Sequence, residues 1–251
     1  MALNFCPQCG IALSPESKFC TSCGEFNPGS KQMPPSWAFQ SGNKIKEYNF
    51  REAWQVFTDA LTGNTNLIDR VKNILIKPKL EWSVVFSEQP HTTKILFGYV
   101  IILALIPTIA AIIGYGLVGN IIMGNTFYSW PTAFETGIIQ FLSAIIVVFL
   151  TAWIVDLLAP SFESEKNFGR SFQLVAYSFT PGWIAGIILL FPSLSIVMTL
   201  AMLYSIYLLL TGLPVLKHTP KDKVAGFVVI TIICFIIITI LIGTILAAIF
   251  G

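Results

Sequence analysis

Charge is what this chain has least of. Asp, Glu, Lys and Arg make up 11% of its 251 residues, while 55% are hydrophobic and the mean hydropathy is +0.75. Ordinary soluble domains carry roughly a quarter of their residues as charges, so a wholly soluble fold is excluded and a membrane protein is implied. The apolar residues concentrate after Ile95. The formal net charge of +2 is too small to argue for nucleic acid. Histidine is nearly absent: His91 and His218 flank helical stretches and read as solvated. The apolar part holds no Ser/His/Asp arrangement, nucleophile elbow, phosphate loop or His-rich metal motif, so no enzyme is expected. No basic n-region followed by an apolar h-region opens the chain. The first membrane helix is therefore expected to serve as the insertion signal.

Cysteine is also sparse, but four of the five are paired: Phe5-Cys6-Pro-Gln-Cys9-Gly10 and Phe19-Cys20-Thr-Ser-Cys23-Gly24. Each Cys-x-x-Cys aims two sulfurs at one point. The following glycine permits the tight turn, and four thiolates complete the tetrahedral shell that zinc prefers. The competing readings are two disulfides or a dithiol redox site, but a redox Cys-x-x-Cys normally comes singly on a βα scaffold that this stretch is too short to build. One structural zinc on Cys6, Cys9, Cys20 and Cys23 is the expectation, because four cysteines leave no position for a catalytic water. So short a segment cannot fold on buried surface alone. Residues 4–26 resemble the small zinc-ribbon family appended to many prokaryotic membrane proteins. Cys234, in an apolar run, reads as a small hydrophobe.

The pattern divides the chain into a zinc ribbon at 1–26, a Pro/Gly/Ser linker at 27–47, amphipathic juxtamembrane helices at 48–90 and a membrane domain at 91–251. Phe50, Trp54, Phe57 and Leu61 recur at helical spacing, and a second set, Leu67, Ile68, Val71, Ile74 and Leu75, follows a break rich in Gly and Asn. Pro78 is a favoured first-turn residue for a third helix carrying Trp82, Val85 and Phe86. With Arg70, Lys72, Lys77 and Lys79 between them, these helices suit two placements. They lie along an anionic membrane surface, or they pack against the ends of the membrane helices.

Five stretches are long enough to span: 95–117, 134–158, 171–191, 193–216 and 224–250. The fold class expected is an all-α polytopic membrane protein. The connection at 191–193 is so short that the third and fourth helices should form a tight antiparallel hairpin. Ten of the fifteen Lys and Arg precede the first span, Lys166 and Arg170 lie between the second and third, and Lys217, Lys221 and Lys223 lie between the fourth and fifth. With five spans all fifteen fall on one side. That side is read as cytoplasmic, which places the N-terminus inside, the C-terminus outside and the chain in the cell (plasma or inner) membrane. A reducing compartment agrees with thiolate–metal chemistry.

Two features inside the membrane block carry polar chemistry. Asp156, in Trp153-Ile-Val-Asp156-Leu-Leu-Ala-Pro160, is an acid within a span and so a functional candidate, able to meet hydroxyls of the third or fourth helix; its plainer reading is access to water or to the Arg170 region. Tyr177-Ser178-Phe-Thr180-Pro-Gly-Trp183 interrupts the third helix. Pro181 frees the carbonyl of Tyr177, and Ser178 and Thr180 are near enough to satisfy it. Gly182 and Gly186 form a small-xxx-small pair for close helix approach, and Tyr204 answers from the fourth helix. The expectation is a kinked, packed hairpin, with a substrate path as the alternative.

Three runs together resemble the Yip-domain family, the Ypt/Rab-interacting membrane proteins, in a prokaryotic form. They are Asp69-Arg-Val-Lys-Asn-Ile-Leu-Ile-Lys-Pro78-Lys-Leu-Glu-Trp82, Ala176-Tyr-Ser-Phe-Thr-Pro-Gly182 and Tyr204-Ser-Ile-Tyr-Leu-Leu-Leu-Thr-Gly212-Leu with Lys223-Val-Ala225. The resemblance implies a five-helix domain with a cytoplasmic N-terminus. Eukaryotic relatives bind prenylated small GTPases, but their Asp-Leu-Tyr-Gly-Pro motif is missing here and Asp156–Pro160 is a loose echo, so that partner is not carried over. The function expected is a non-enzymatic membrane scaffold or adaptor that presents the ribbon to a protein partner. The alternatives are a small transporter or channel using Asp156 and the kinked helix, and a zinc-responsive membrane regulator. Beyond the lipid bilayer, the partners expected are a protein held by the ribbon or the collar, and a further copy of the chain.

Overall fold

The structure is a computed structural model and describes residues 4–5, 12–13, 50–61, 67–118, 120–122, 125–127, 129–190 and 196–250. The chain divides into two compact units, Met1–Lys46 and Glu47–Gly251. In the first, β1 (Asn4–Phe5) and β2 (Ala12–Leu13) pair antiparallel, Asn4 opposite Leu13 and Phe5 opposite Ala12.

The second unit is helical. Three short helices come first: α1 (Phe50–Leu61), α2 (Leu67–Ile76) and α3 (Pro78–Ser87), the last opening at the proline as expected. Five helical stretches long and apolar enough to cross a membrane follow among the described residues: Thr92–Leu117, Trp130–Phe162, Phe168–Leu190, Val197–Leu216 and Lys221–Ile249. The first is wound from α4 (Thr92–Ile95), a π-helical turn at Leu96–Val100, α5 (Ile101–Ile113) and a second π-helical turn at Gly114–Val118. A two-stranded hairpin, β3 (Asn120–Ile122) with β4 (Asn125–Phe127), connects it to α6 (Trp130–Leu158). Ser129 caps α6, accepting from the backbone N–H of Thr132, and Pro131 in the first turn lacks a donor that would have gone unused there.

The third span is not one helix. It is α7 (Phe168–Ser178), a turn at Phe179, α8 (Thr180–Ala185) and a 3₁₀ stretch at Gly186–Leu190. Asn167 caps α7 by accepting from the N–H of Arg170 at 3.1 Å. The fourth and fifth spans are α9 (Ile196–Leu216) and α10 (Lys221–Phe250). The expected tight connection at 191–193 lies outside the described residues.

α7 is the hub: all nine residues from Arg170 to Ser178 are buried. Around it sit Trp82, Phe227, Leu208, Leu213 and Leu216 from α3, α10 and α9. Phe149 of α6 packs on Phe172 at 4.9 Å between ring centroids, and Phe162 stacks on Phe227 at 4.7 Å. Of the two placements expected of the juxtamembrane helices, packing against the membrane helices is the one observed. Their inner faces pack against the spans: Trp82 Nε1 donates to Thr211 Oγ1 at 3.1 Å, Tyr204 donates to the carbonyl of Leu75 at 2.7 Å, and Phe86 meets His218 edge-on at 5.3 Å. Their outer faces leave Trp54, Ile68, Ile76, Leu80 and Val84 exposed. Trp54, of the apolar set on α1, is 54% exposed, and Ala53 of the same helix is buried. An exposed tryptophan on a juxtamembrane helix suits the lipid–water interface, where its ring is half solvated.

Gly212 is where α3, α7 and α9 converge. A Cβ there would lie 2.6 Å from Leu174 Cδ1 and 2.8 Å from Trp82 Cε2, so only a glycine admits the indole.

Candidate functional site

Three polar groupings lie at or near the charged end of the bundle. The first surrounds Asp156. Its carboxylate accepts from Lys217 Nζ at 3.0 Å and from Ser171 Oγ at 3.1 Å. Lys217 directs its remaining N–H donors to Ser171 Oγ at 2.7 Å and the carbonyl of Asn167 at 3.3 Å, and its side chain is 0% exposed. All three ammonium protons therefore have acceptors, as a buried lysine requires. Burial pushes the Lys217 ammonium below the usual lysine value, and the hydrogen bond and charge of Asp156 push it back up in part. The pair joins α6, the start of α7 and the end of α9.

Neither sequence reading of Asp156 anticipated this partner. The acid does meet a hydroxyl of the third helix, as expected, but its countercharge is Lys217 rather than water or Arg170. Arg170 is engaged elsewhere: it donates to the carbonyl of Val85 at 3.1 Å and to Gln173 Oε1 at 2.9 Å, and lies 5.0 Å from the centroid of Phe86. The signal that finds Lys217 is its position directly after an apolar run, since a buried carboxylate demands a cation of comparable burial. Outside this pair the two loops clasp each other. Glu165 N donates to the carbonyl of Lys217 at 2.9 Å, Ser164 Oγ donates to Thr219 Oγ1 at 2.8 Å, and His218 pairs with Glu165 at 2.9 Å.

The second grouping is the break in the third span. Pro181 lacks an N–H, so the carbonyl of Tyr177 loses its helical donor. Thr180 Oγ1 donates to that carbonyl at 2.7 Å, as the sequence predicts. Having given its proton there, Thr180 must accept from the hydroxyl of Tyr99, 2.7 Å away, which ties the first span to the third. Tyr99 also packs edge-on against Tyr177 at 4.8 Å. Ser178 does not join in: its buried Oγ has no hydrogen-bond partner among the described residues. Tyr204 is elsewhere, on the carbonyl of Leu75. The predicted polar set thus resolves into separate places, with Tyr177 and Thr180 brought together and Asp156 and Tyr204 each bonded to other partners. Of the small-xxx-small pair, Gly186 is pressed against Pro107 of α5, where a Cβ would sit 2.4 Å from the proline Cβ; a Cβ on Gly182 would meet nothing within 4 Å. Gly182 therefore loosens the break rather than admitting a neighbour.

The third grouping was not anticipated. Arg70 of α2 bridges two carboxylates, Glu81 of α3 and Glu88 just beyond it, while its guanidinium lies 5.5 Å from the centroid of the Tyr177 ring. Planar guanidinium suits this position because it pairs with carboxylates and stacks on aromatic rings together.

In the first unit, Cys6, Cys9, Cys20 and Cys23 lie outside the described residues. The hairpin that is described ends β1 one residue before Cys6 and returns at Ala12 after Cys9, so the first Cys pair falls between two paired strands. Four thiols in two Cys-x-x-Cys-Gly sequences are a donor set suited to a tetrahedral metal. Among the described residues no three His, Cys, Asp or Glu side chains gather as a second metal site.

Fold and sites together define a multi-pass helical membrane protein with a small zinc-ribbon module at its N-terminus. Residues 72–243 match the Yip1 domain and residues 5–25 match a zinc-ribbon domain. The chain belongs to the Yip1 domain family. No curated protein and no solved structure matches it.

Proposed function

We propose that the protein is a non-enzymatic membrane scaffold whose zinc ribbon recruits a protein partner. In this reading the chain is organised as ribbon (1–26), tether (27–47), collar (48–90) and membrane body (91–251). One structural zinc is held by the thiolates of Cys6, Cys9, Cys20 and Cys23. The placement of all Lys and Arg on one side argues that the ribbon is cytoplasmic, the C-terminus external and the host membrane the cell membrane. The observation that carries the proposal is the closed donor set: four thiolates leave the metal no position for substrate or water, so the module offers a folded surface rather than chemistry.

Purification in detergent of the wild type and of a variant with all four cysteines replaced by serine tests this directly. The wild type should hold about one zinc per chain and retain a partner that the variant loses, about one zinc being the stoichiometry of a four-thiolate site. Identical partners in both preparations sink the recruitment claim. The transport reading is disfavoured by the Asp156–Lys217 pair, whose carboxylate already holds a fixed cation with all three protons engaged. Equal proteoliposome flux for wild type and Asp156→Asn is the corresponding outcome. A zinc-responsive regulator would instead bind its metal within the cellular buffering range, which a chelator-competition titration reads.

A further inference from the structure

A cavity of about 520 Å³ opens where the first span begins. Its walls come from α1, α2, the segment after α3, α4 with its π-helical turn, and α7. Its volume falls among those of small-molecule sites, roughly 300–1,000 Å³. At the mouth stand charges of both signs. Lys94 is exposed and makes no ion pair with the described residues, and Glu88 is engaged by Arg70 through Oε1 alone, with its side chain 41% exposed. Deeper in, two side chains present unspent hydrogen-bonding groups. Gln173 is 1% exposed and uses its Oε1 for Arg170, leaving its amide N–H donors without a partner among the described residues. Tyr177 is 5% exposed, and its hydroxyl likewise has no partner there, while its ring is fixed by Arg70 and Tyr99. Val56, Leu67 and Ile95 supply an apolar side to the same space.

Two donors that line one cavity without a partner among the described residues are free to receive something polar there. The charges at the mouth narrow its chemistry. A simple cation would be repelled by Arg70 and Lys94, a simple anion would leave the second oxygen of Glu88 without a cation, and a wholly apolar molecule would leave Gln173 and Tyr177 unused. A zwitterion meets all of them with matching charge. The apolar side, and a position at the first residues of a membrane span, add an amphiphile resident at the lipid–water boundary.

We propose that this cavity binds the head group of an amine-bearing zwitterionic phospholipid. The phosphate is received by Lys94 with the Gln173 and Tyr177 donors, and the ammonium by Glu88. Such a lipid would fill the seam between the juxtamembrane helices and the first and third spans. The proposal stands independently of partner recruitment by the ribbon.

The full chain in nanodiscs of equal phosphatidylethanolamine and phosphatidylglycerol, followed by native mass spectrometry of the lipid retained on release, tests it. Retained lipid should favour phosphatidylethanolamine by about tenfold over the bulk ratio, the preference that one charge-assisted contact supplies. Lys94→Gln, a change at an exposed position, and Tyr177→Phe, which keeps the ring over Arg70, should each reduce that preference several-fold. Retention at the bulk ratio by the wild type, or a preference unchanged in both variants, overturns the proposal. Displacement of the lipid by an equal concentration of free phosphoethanolamine overturns the lipid source and assigns the cavity to a soluble amine phosphate.

Discussion

The third and fifth spans invert the usual equation of apolar with buried. The third is the least hydropathic of the five and the most enclosed, with 56% of its apolar 18-residue stretch buried; the fifth is the most hydropathic and the least enclosed, at 22%. In water the more apolar helix would take the centre. In a bilayer, lipid tails solvate isoleucine as well as protein does, so burial is reserved for helices carrying groups that lipid cannot satisfy. α7 brings Arg170, Ser171, Gln173 and Ser178 into the bundle, and three of these four find hydrogen-bond partners there. α10 turns Ile233, Ile236, Ile237 and Ile240 outward. The difference teaches that polar satisfaction, more than hydrophobicity, orders this bundle.

The sharpest way to break that comparison is to strand one half of the Asp156–Lys217 pair. Asp156→Leu and Lys217→Met should each destabilise by about 3–5 kcal/mol, since each leaves a buried charge uncompensated, whereas the double variant should recover most of the loss. Reversible unfolding in mixed micelles measures all three, and equal loss in the double variant would show that packing rather than charge governs the site. A smaller effect is expected where α3, α7 and α9 meet: Gly212→Val forces Trp82 and Leu174 apart and should cost about 1–3 kcal/mol by the same assay. Removing the Thr180 hydroxyl with Thr180→Val strands the Tyr177 carbonyl and the Tyr99 hydroxyl, for about 1–3 kcal/mol and a weaker tie between first and third spans. At the bottom of the scale, Ser178→Ala deletes an unpartnered hydroxyl and should change stability by no more than about 0.5 kcal/mol. A large loss there would mean that Ser178 is satisfied after all.

The five spans were legible because a run of about twenty apolar residues has few other uses. The helix break was legible for a related reason, since proline removes a donor wherever it stands, and the structure places the turn at Phe179, two residues before Pro181. Partners across the bundle were not. Lys217 reads in sequence as a loop cation counted toward orientation; its place directly after an apolar run hints at burial, but nothing local names Asp156 as its partner. Tyr99 likewise sits in an apolar run with no hint that its hydroxyl finds Thr180. Gly182 and Gly186 show the limit of spacing arguments: four residues apart puts two positions on one face of a regular helix, but the transition to 3₁₀ geometry at Gly186 leaves one of them against Pro107 and the other clear. Trp54 shows the same limit, since helical periodicity locates an apolar stripe without telling lipid from protein.

The contacts of Trp82 with Thr211 and of Leu75 with Tyr204 each join residues 129 positions apart in the chain. Neither can form before the fourth span has been made. During synthesis α2 and α3 can meet the third span first, through Val85 with Arg170 and Arg70 with Tyr177, but the indole of Trp82 reaches the notch at Gly212 only when α9 arrives. Long-range closure of this kind is slow and comes late in assembly. A nascent chain halted after the third span should leave α2 and α3 less protected from protease than one halted after α9. Completed docking of this pair thus reports that the membrane body has its fourth helix.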